Sequence, residues 1–219
     1  MKSFSRRTAS YGHFALRVQA AALLFTLFVA PAAARTLHLV ALGDSLTAGY
    51  GLPAGQGFAE VLGRSLKAKG WDVEVTNAGV SGETAADGLA RYDWSVPAGT
   101  DALLVELGAN DMLRGLPPES AEAALAKIVE RAKKAHVATL LMGMRAAPNL
   151  GAEYQKKFDA IYPELAVRYG VALYPFFLDG VAGDPKLNQP DGLHPTRAGV
   201  EVIVARVLPS LEALLVKIK

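Results

Sequence analysis

Runs that are apolar on both faces recur along this chain, each followed by a stretch with the period of a helix. Residues 37–42, 102–107 and 137–144 are apolar almost throughout, and residues 171–174 repeat the pattern in short form. Residues 73–76 put Val73 and Val75 on one side. Strands apolar on both faces have to be covered on both faces, which points to a parallel sheet layered with helices. The intervening segments supply the helices. In residues 120–134 the apolar positions Ala121, Ala124, Leu125, Ile128, Val129 and Ala132 fall on one helical face. Val200, Ile203, Val204, Val207, Leu208 and Leu211 do the same near the C-terminus. Residues 58–69 and 153–169 also read as helices, the second with a kink predicted at Pro163, and residues 84–94 read as a weaker one. Five alternations predict one α/β domain, a three-layer α/β/α sandwich with about five parallel strands.

Residues 1–34 do not fit that alternation. They carry Lys2, Arg6, Arg7 and Arg17 and no acidic side chain, then an apolar run over residues 18–30, then Pro31-Ala32-Ala33-Ala34. A basic region, an apolar run and small residues at the last and third-last positions form, in order, a signal peptide cleaved near Ala34. The apolar run is shorter than the roughly 20 residues needed to span a bilayer. The expectation is an exported protein, periplasmic or secreted, with no stable membrane anchor after cleavage and a domain spanning residues 35–219. The charge balance follows the same division. Of 23 basic and 21 acidic residues, four basic and no acidic ones lie in the first 34, leaving 19 against 21. A mildly acidic domain lacks the basic footprint of a nucleic-acid binder. The chain has no cysteine, which excludes disulfides, thiolate metal sites and a cysteine nucleophile.

In open parallel sheets, ligands bind beyond the carboxyl ends of the strands. Gly43-Asp44-Ser45-Leu46 follows the first run, Asn77-Ala78-Gly79 the second, and Gly108-Ala109-Asn110-Asp111 the third. Asp191-Gly192-Leu193-His194-Pro195 follows the fifth across a loop. These segments hold what acyl transfer requires. A serine hydroxyl needs a base within hydrogen-bond reach, and Ser45 sits where a strand turns into the next segment. Beyond residue 34 the histidines are His38, His136 and His194. His38 falls inside a strand and His136 after a lysine-rich helix end, so both read as structural. His194 has a carboxylate three residues before it, and Asp191 at that spacing can reach the ring and fix its tautomer. The N–H groups of Ser45 and Gly79 and the Asn110 side-chain amide are donors suited to an oxyanion. Asp44 and Asp111 read as acceptors that set their loops.

Each segment alone is ordinary turn chemistry; together and in this order they resemble the GDSL, or SGNH, hydrolases. The likeness runs along the whole chain after residue 34 and includes GDSLTAGYGL, NAGVSGET, VELGANDMLRG, FDAIYPELA, YPFF and DGLHPT. It is strongest toward small exported bacterial enzymes acting as acyl-CoA thioesterase, lysophospholipase and arylesterase. The resemblance implies a flavodoxin-like fold, with Ser45 as nucleophile, His194 as base, Asp191 orienting it, and Ser45, Gly79 and Asn110 forming the oxyanion hole.

Competing motifs fail on context. Gly49-Tyr50-Gly51-Leu52-Pro53-Ala54 matches a loose dinucleotide fingerprint, but it starts six residues after the strand and contains a proline. The G-x-S-x-G elbow is absent around Ser45. Neither a metal nor an organic cofactor is required. Met112, Leu113, Met144, Ala146, Pro148, Leu150 and Phe176 are candidates to line an apolar cleft, with Leu116, Arg145, Ala147, Phe177 and Leu178 beside them. Such a cleft favours a small acyl or aryl ester or thioester substrate over acetylated glycans. The alternatives are a carbohydrate O-deacetylase using the same residues and a non-catalytic binding module on the same scaffold. A monomer is expected.

Overall fold

The computed structural model describes residues 35–218. The expected signal peptide and its cleavage site lie outside the described residues. In chain order the elements are β1 (Leu37–Gly43), α1 (Ser45–Ala48), α2 (Phe58–Ala68), β2 (Val73–Gly79), α3 (Ala85–Ala90), α4 (Tyr92–Ser95) and β3 (Ala102–Glu106), then α5 (Ala109–Leu113), α6 (Pro118–Lys134), β4 (Ala138–Met142), α7 (Ala152–Tyr169), β5 (Ala172–Tyr174) and α8 (Arg197–Leu215). A 3₁₀ turn spans Pro148–Leu150.

The strands form one parallel sheet in the order β2-β1-β3-β4-β5. β1 is buried at every position except His38, and β3 throughout, in keeping with their largely apolar sequences. α2 packs against α8, while α3 and α7 each pack against α6, giving a helical layer on either side of the sheet. The helix faces read from periodicity are the buried ones. All six named positions of α6 are buried, and all six of α8. Among the described residues no helix is long and apolar enough to cross a membrane.

The strand order places the chemistry. β1 is followed on one side by β2 and on the other by β3, so the chain crosses over in opposite directions from β1, leaving a crevice at its carboxyl end. In register, Gly43 pairs with Gly79 of β2 and with Glu106 of β3. The ends of three strands therefore stand on one rung, and the segments following them meet above it.

Two local expectations are corrected. β2 continues past residue 76 to Gly79: at the sheet edge, pairing with β1 holds the backbone although Thr76 and Asn77 face outward. Residues 84–94 form two short helices, not one. The Arg91 guanidinium between them is tied to Glu83 (2.6 Å), to Ser95 Oγ (2.8 Å) and to the Gly43 carbonyl (3.1 Å). α7 includes Pro163 within its span, as α8 includes Pro209. Both prolines sit on exposed faces, where water can take the carbonyl each leaves without an N–H partner.

Candidate active site

Ser45 opens α1 directly above the Gly43 rung. Asp44 caps the helix by accepting from the Leu46 N–H at 3.0 Å. Two glycines let this turn sit so close to the sheet. A Cβ on Gly43 would lie 2.0 Å from Thr47 Oγ1, and one on Gly79 would lie 2.3 Å from the Ala48 nitrogen.

His194 reaches Ser45 from a loop 149 residues further along the chain. Its Nε2 lies 2.9 Å from Ser45 Oγ. Its Nδ1 lies 2.7 Å from Asp191 Oδ2. Asp191 Oδ1 accepts from the N–H groups of Leu193 (2.9 Å) and His194 (3.0 Å). These backbone donors and the imidazole contact pull the Asp191 carboxyl down to about 2, so it is charged wherever the protein is folded at ordinary pH. The loop has its own fastenings. Gln189 Nε2 donates to the carbonyls of Tyr50 (2.8 Å) and Pro195 (3.0 Å), and its backbone N–H donates to the His194 carbonyl at 2.7 Å. The Tyr50 ring packs against the His194 ring with centroids 4.6 Å apart.

The three expected oxyanion donors differ in availability. The Ser45 N–H, in the first turn of α1, has no protein acceptor among the described residues. The Gly79 N–H donates to Asn77 Oδ1 at 3.0 Å. Asn110 Nδ2 donates to Asp44 Oδ2 and to the Glu83 carbonyl, each at 3.0 Å. An oxyanion beside Ser45 would thus draw the Gly79 and Asn110 donors partly away from internal acceptors, as sites often do on reaching the transition state.

A cavity of about 400 Å³ opens beside Ser45 and His194. Leu46, Tyr50, Met112, Leu113, Met144, Leu178 and Leu193 supply its apolar wall, and Asn110 and Ser81 line it as well. A second cavity of about 260 Å³ adjoins it across Met112, Met144, Leu178 and Leu193, and Ala146, Pro148 and Phe176 line this one. Of the predicted lining residues, Leu150 borders neither cavity; on the 3₁₀ turn its side chain packs against the core instead. Leu116 also borders neither, and Phe177 is fully buried against Phe58. His38 and His136 are exposed and away from Ser45, His38 lying 3.4 Å from Glu74 on the neighbouring strand.

Sequence reasoning missed Tyr50, Gln189 and Glu106. Glu106 carried a signal, as a lone carboxylate inside an otherwise apolar strand run. Tyr50 and Gln189 act through contacts between loops far apart in sequence and carried none.

A serine and a histidine–carboxylate pair in hydrogen-bonded series, at the carboxyl edge of a sheet in this order, define a site of the serine hydrolase class. Residues 41–202 match the GDSL-like Lipase/Acylhydrolase family, and the chain belongs to it. It is 39% identical over 194 residues to Esterase TesA of Pseudomonas aeruginosa, covering 88% of this chain and 96% of that protein. It is 38% identical over 192 residues to Thioesterase 1/protease 1/lysophospholipase L1 of Escherichia coli (strain K12), covering 87% and 91%. Among solved structures it resembles AlinE4, an SGNH-hydrolase family esterase, with a TM-score of 0.70, 44% identity, and coverage of 82% of this chain and 96% of that one. The chain is a serine hydrolase with the SGNH fold.

Proposed function

We propose that the chain cleaves aryl and acyl esters, and thioesters, through an acyl-enzyme on Ser45. The observation that carries this reading is the series Asp191–His194–Ser45, with contacts of 2.7 and 2.9 Å, opening onto an apolar cavity. Ser45 Oγ attacks the acyl carbon as its proton passes to His194 Nε2. The Ser45 N–H, the Gly79 N–H and the Asn110 amide stabilise the oxyanion. Asp191 stays ionised and supports the imidazolium. Collapse breaks the bond to the leaving group, which takes the proton from Nε2. Water then repeats the sequence: it gives a proton to Nε2, attacks the acyl carbon, and releases the free acid as Ser45 Oγ recovers that proton.

The apolar walls of the two cavities fit an acyl chain or aryl ring better than a sugar, which needs polar and stacking partners. The relatives named esterase and thioesterase support the same substrate class. The order of basic, apolar and small residues in residues 1–34 supports an exported enzyme whose hydrolase domain is residues 35–219. Incubating the purified protein with a fluorophosphonate tests the reading. A stoichiometric adduct on Ser45, lost in His194→Ala, is expected. Absence of any adduct on folded protein would overturn it.

A further inference from the structure

Glu106 ends β3 directly beneath the Ser45 turn and is wholly buried, as is Asp44. The Asp44 N–H, 3.4 Å from Glu106 Oε2, sets the two buried carboxyl-bearing residues side by side. Glu106 Oε2 accepts from the Thr47 hydroxyl at 2.8 Å and, more weakly, from the Asp44 N–H at 3.4 Å. Glu106 Oε1 is buried with no hydrogen-bond donor among the described residues. Asp44 accepts one hydrogen bond at each oxygen: Oδ1 takes the Leu46 N–H and Oδ2 takes the Asn110 amide. An orphaned buried acceptor costs free energy, and two buried carboxylates in contact cannot both ionise. A proton on Glu106 answers both problems: it removes one of the two neighbouring charges and turns the orphaned acceptor into a donor.

We propose that Glu106 is a positioning residue that works as the neutral acid. It donates its proton to the Asp44 carboxylate, and so holds the group that caps the Ser45 helix and aims the Asn110 amide. The inference rests on the reading of Ser45 as nucleophile. Burial, then the neighbouring Asp44 charge, pushes Glu106 well above the usual carboxylate range. Burial pushes Asp44 up to about 6, with Leu46, Glu106, His194 and Asn110 opposing. The other titratable groups around the pair are few. His194 faces Asp44. Tyr162 of α7 presents a hydroxyl that donates to the Leu107 carbonyl at 2.9 Å and is itself pushed up by burial. Asp111 of α5 lies near Tyr162. Arg91 contacts the Gly43 carbonyl and is paired with Glu83.

A raised carboxyl in the folded state means the unfolded chain releases its proton first, so the stability this group contributes is lost as pH rises toward the folded value. Glu106→Gln keeps a neutral donor and removes that loss. The test compares wild type, Glu106→Gln and Glu106→Leu by melting temperature from pH 4.5 to 9, and by kcat and KM on p-nitrophenyl butyrate at pH 7. The Tm of Glu106→Gln minus that of wild type is expected to grow steadily with pH. Glu106→Gln keeps kcat, while Glu106→Leu loses about 10²-fold in kcat at unchanged KM, the scale of a displaced catalytic group. A Tm difference independent of pH overturns the proposal, as does Glu106→Gln falling as far as Glu106→Leu, or Glu106→Leu matching wild type. If Glu106→Leu does not fold, the Glu106→Gln series decides alone. Wild type with no esterase activity and no fluorophosphonate adduct would instead refute the reading of Ser45; the melting series needs no activity and still reports the proton on Glu106.

Discussion

The Gln189 side-chain amide donates to the Tyr50 carbonyl, joining the loop that carries the base to the turn that follows the nucleophile. Its second bond, to Pro195, braces the base loop from within. Gln189→Ala removes both bonds. Unfolding stability should fall by about 1–3 kcal/mol, the net worth of two such hydrogen bonds. kcat should fall by up to about 10²-fold through misplacement of His194, with the KM of a short ester unchanged. Denaturant titration and steady-state kinetics on one preparation check this.

Ser45→Ala should abolish turnover without changing the melting temperature much, because Ser45 Oγ bonds only the His194 ring among the described residues. Asn110→Ala should lower kcat by about 10²–10³-fold, the usual effect of one lost oxyanion donor. It should also lower the melting temperature, since it strips a donor from buried Asp44. Full activity in Asn110→Ala would remove that side chain from the oxyanion hole.

Asp191→Asn should reduce kcat by up to about 10⁴-fold, because an amide favours the wrong imidazole tautomer. The pH dependence has a definite sign. The folded carboxyl sits at about 2, below the unfolded value of about 3.9, so its stabilising contribution is present above that value and lost as pH falls toward 2. The melting-temperature gap between wild type and Asp191→Asn should be constant above about pH 5 and shrink below pH 4. Its size should be modest, because the Asp191 side chain is 37% exposed and screened by solvent.

Leu178 borders both cavities. Leu178→Ala should lower kcat/KM for p-nitrophenyl octanoate by about tenfold, part of the roughly 1.5–3 kcal/mol that a fully buried leucine contributes. The acetate ester should be little affected. Equal losses on both esters would show that the second cavity does not receive the acyl chain.

Much of this molecule could be read before its coordinates. The layers and the buried faces of α6 and α8 follow from periodicity, because burial is the only stable place for an apolar stripe. The candidate site residues Ser45, Gly79, Asn110, Asp191 and His194 could be named from the sequence because acyl transfer needs few residue types and strand ends are where such residues converge. The split of residues 84–94 at Arg91 was not legible. Its cause is a guanidinium held by Glu83 and by the carbonyl of a glycine 48 residues away. Leu150 was misplaced for a similar reason: its apolarity is used in the core rather than at the cavity wall.

The sequence by itself determined the class of fold and the chemical inventory, since both depend on pattern and residue type over short spans. Only the tertiary structure decided that Gly43, Gly79 and Glu106 share one rung, that Gln189 fastens the His194 loop to Tyr50, and that Asp44 and Glu106 are buried side by side beneath Ser45. Those relationships depend on strand order and loop closure, which bring distant residues within hydrogen-bond range. No local propensity encodes such a distance. It emerges from covering both faces of the sheet at once, and with it come buried polar groups that local sequence cannot display.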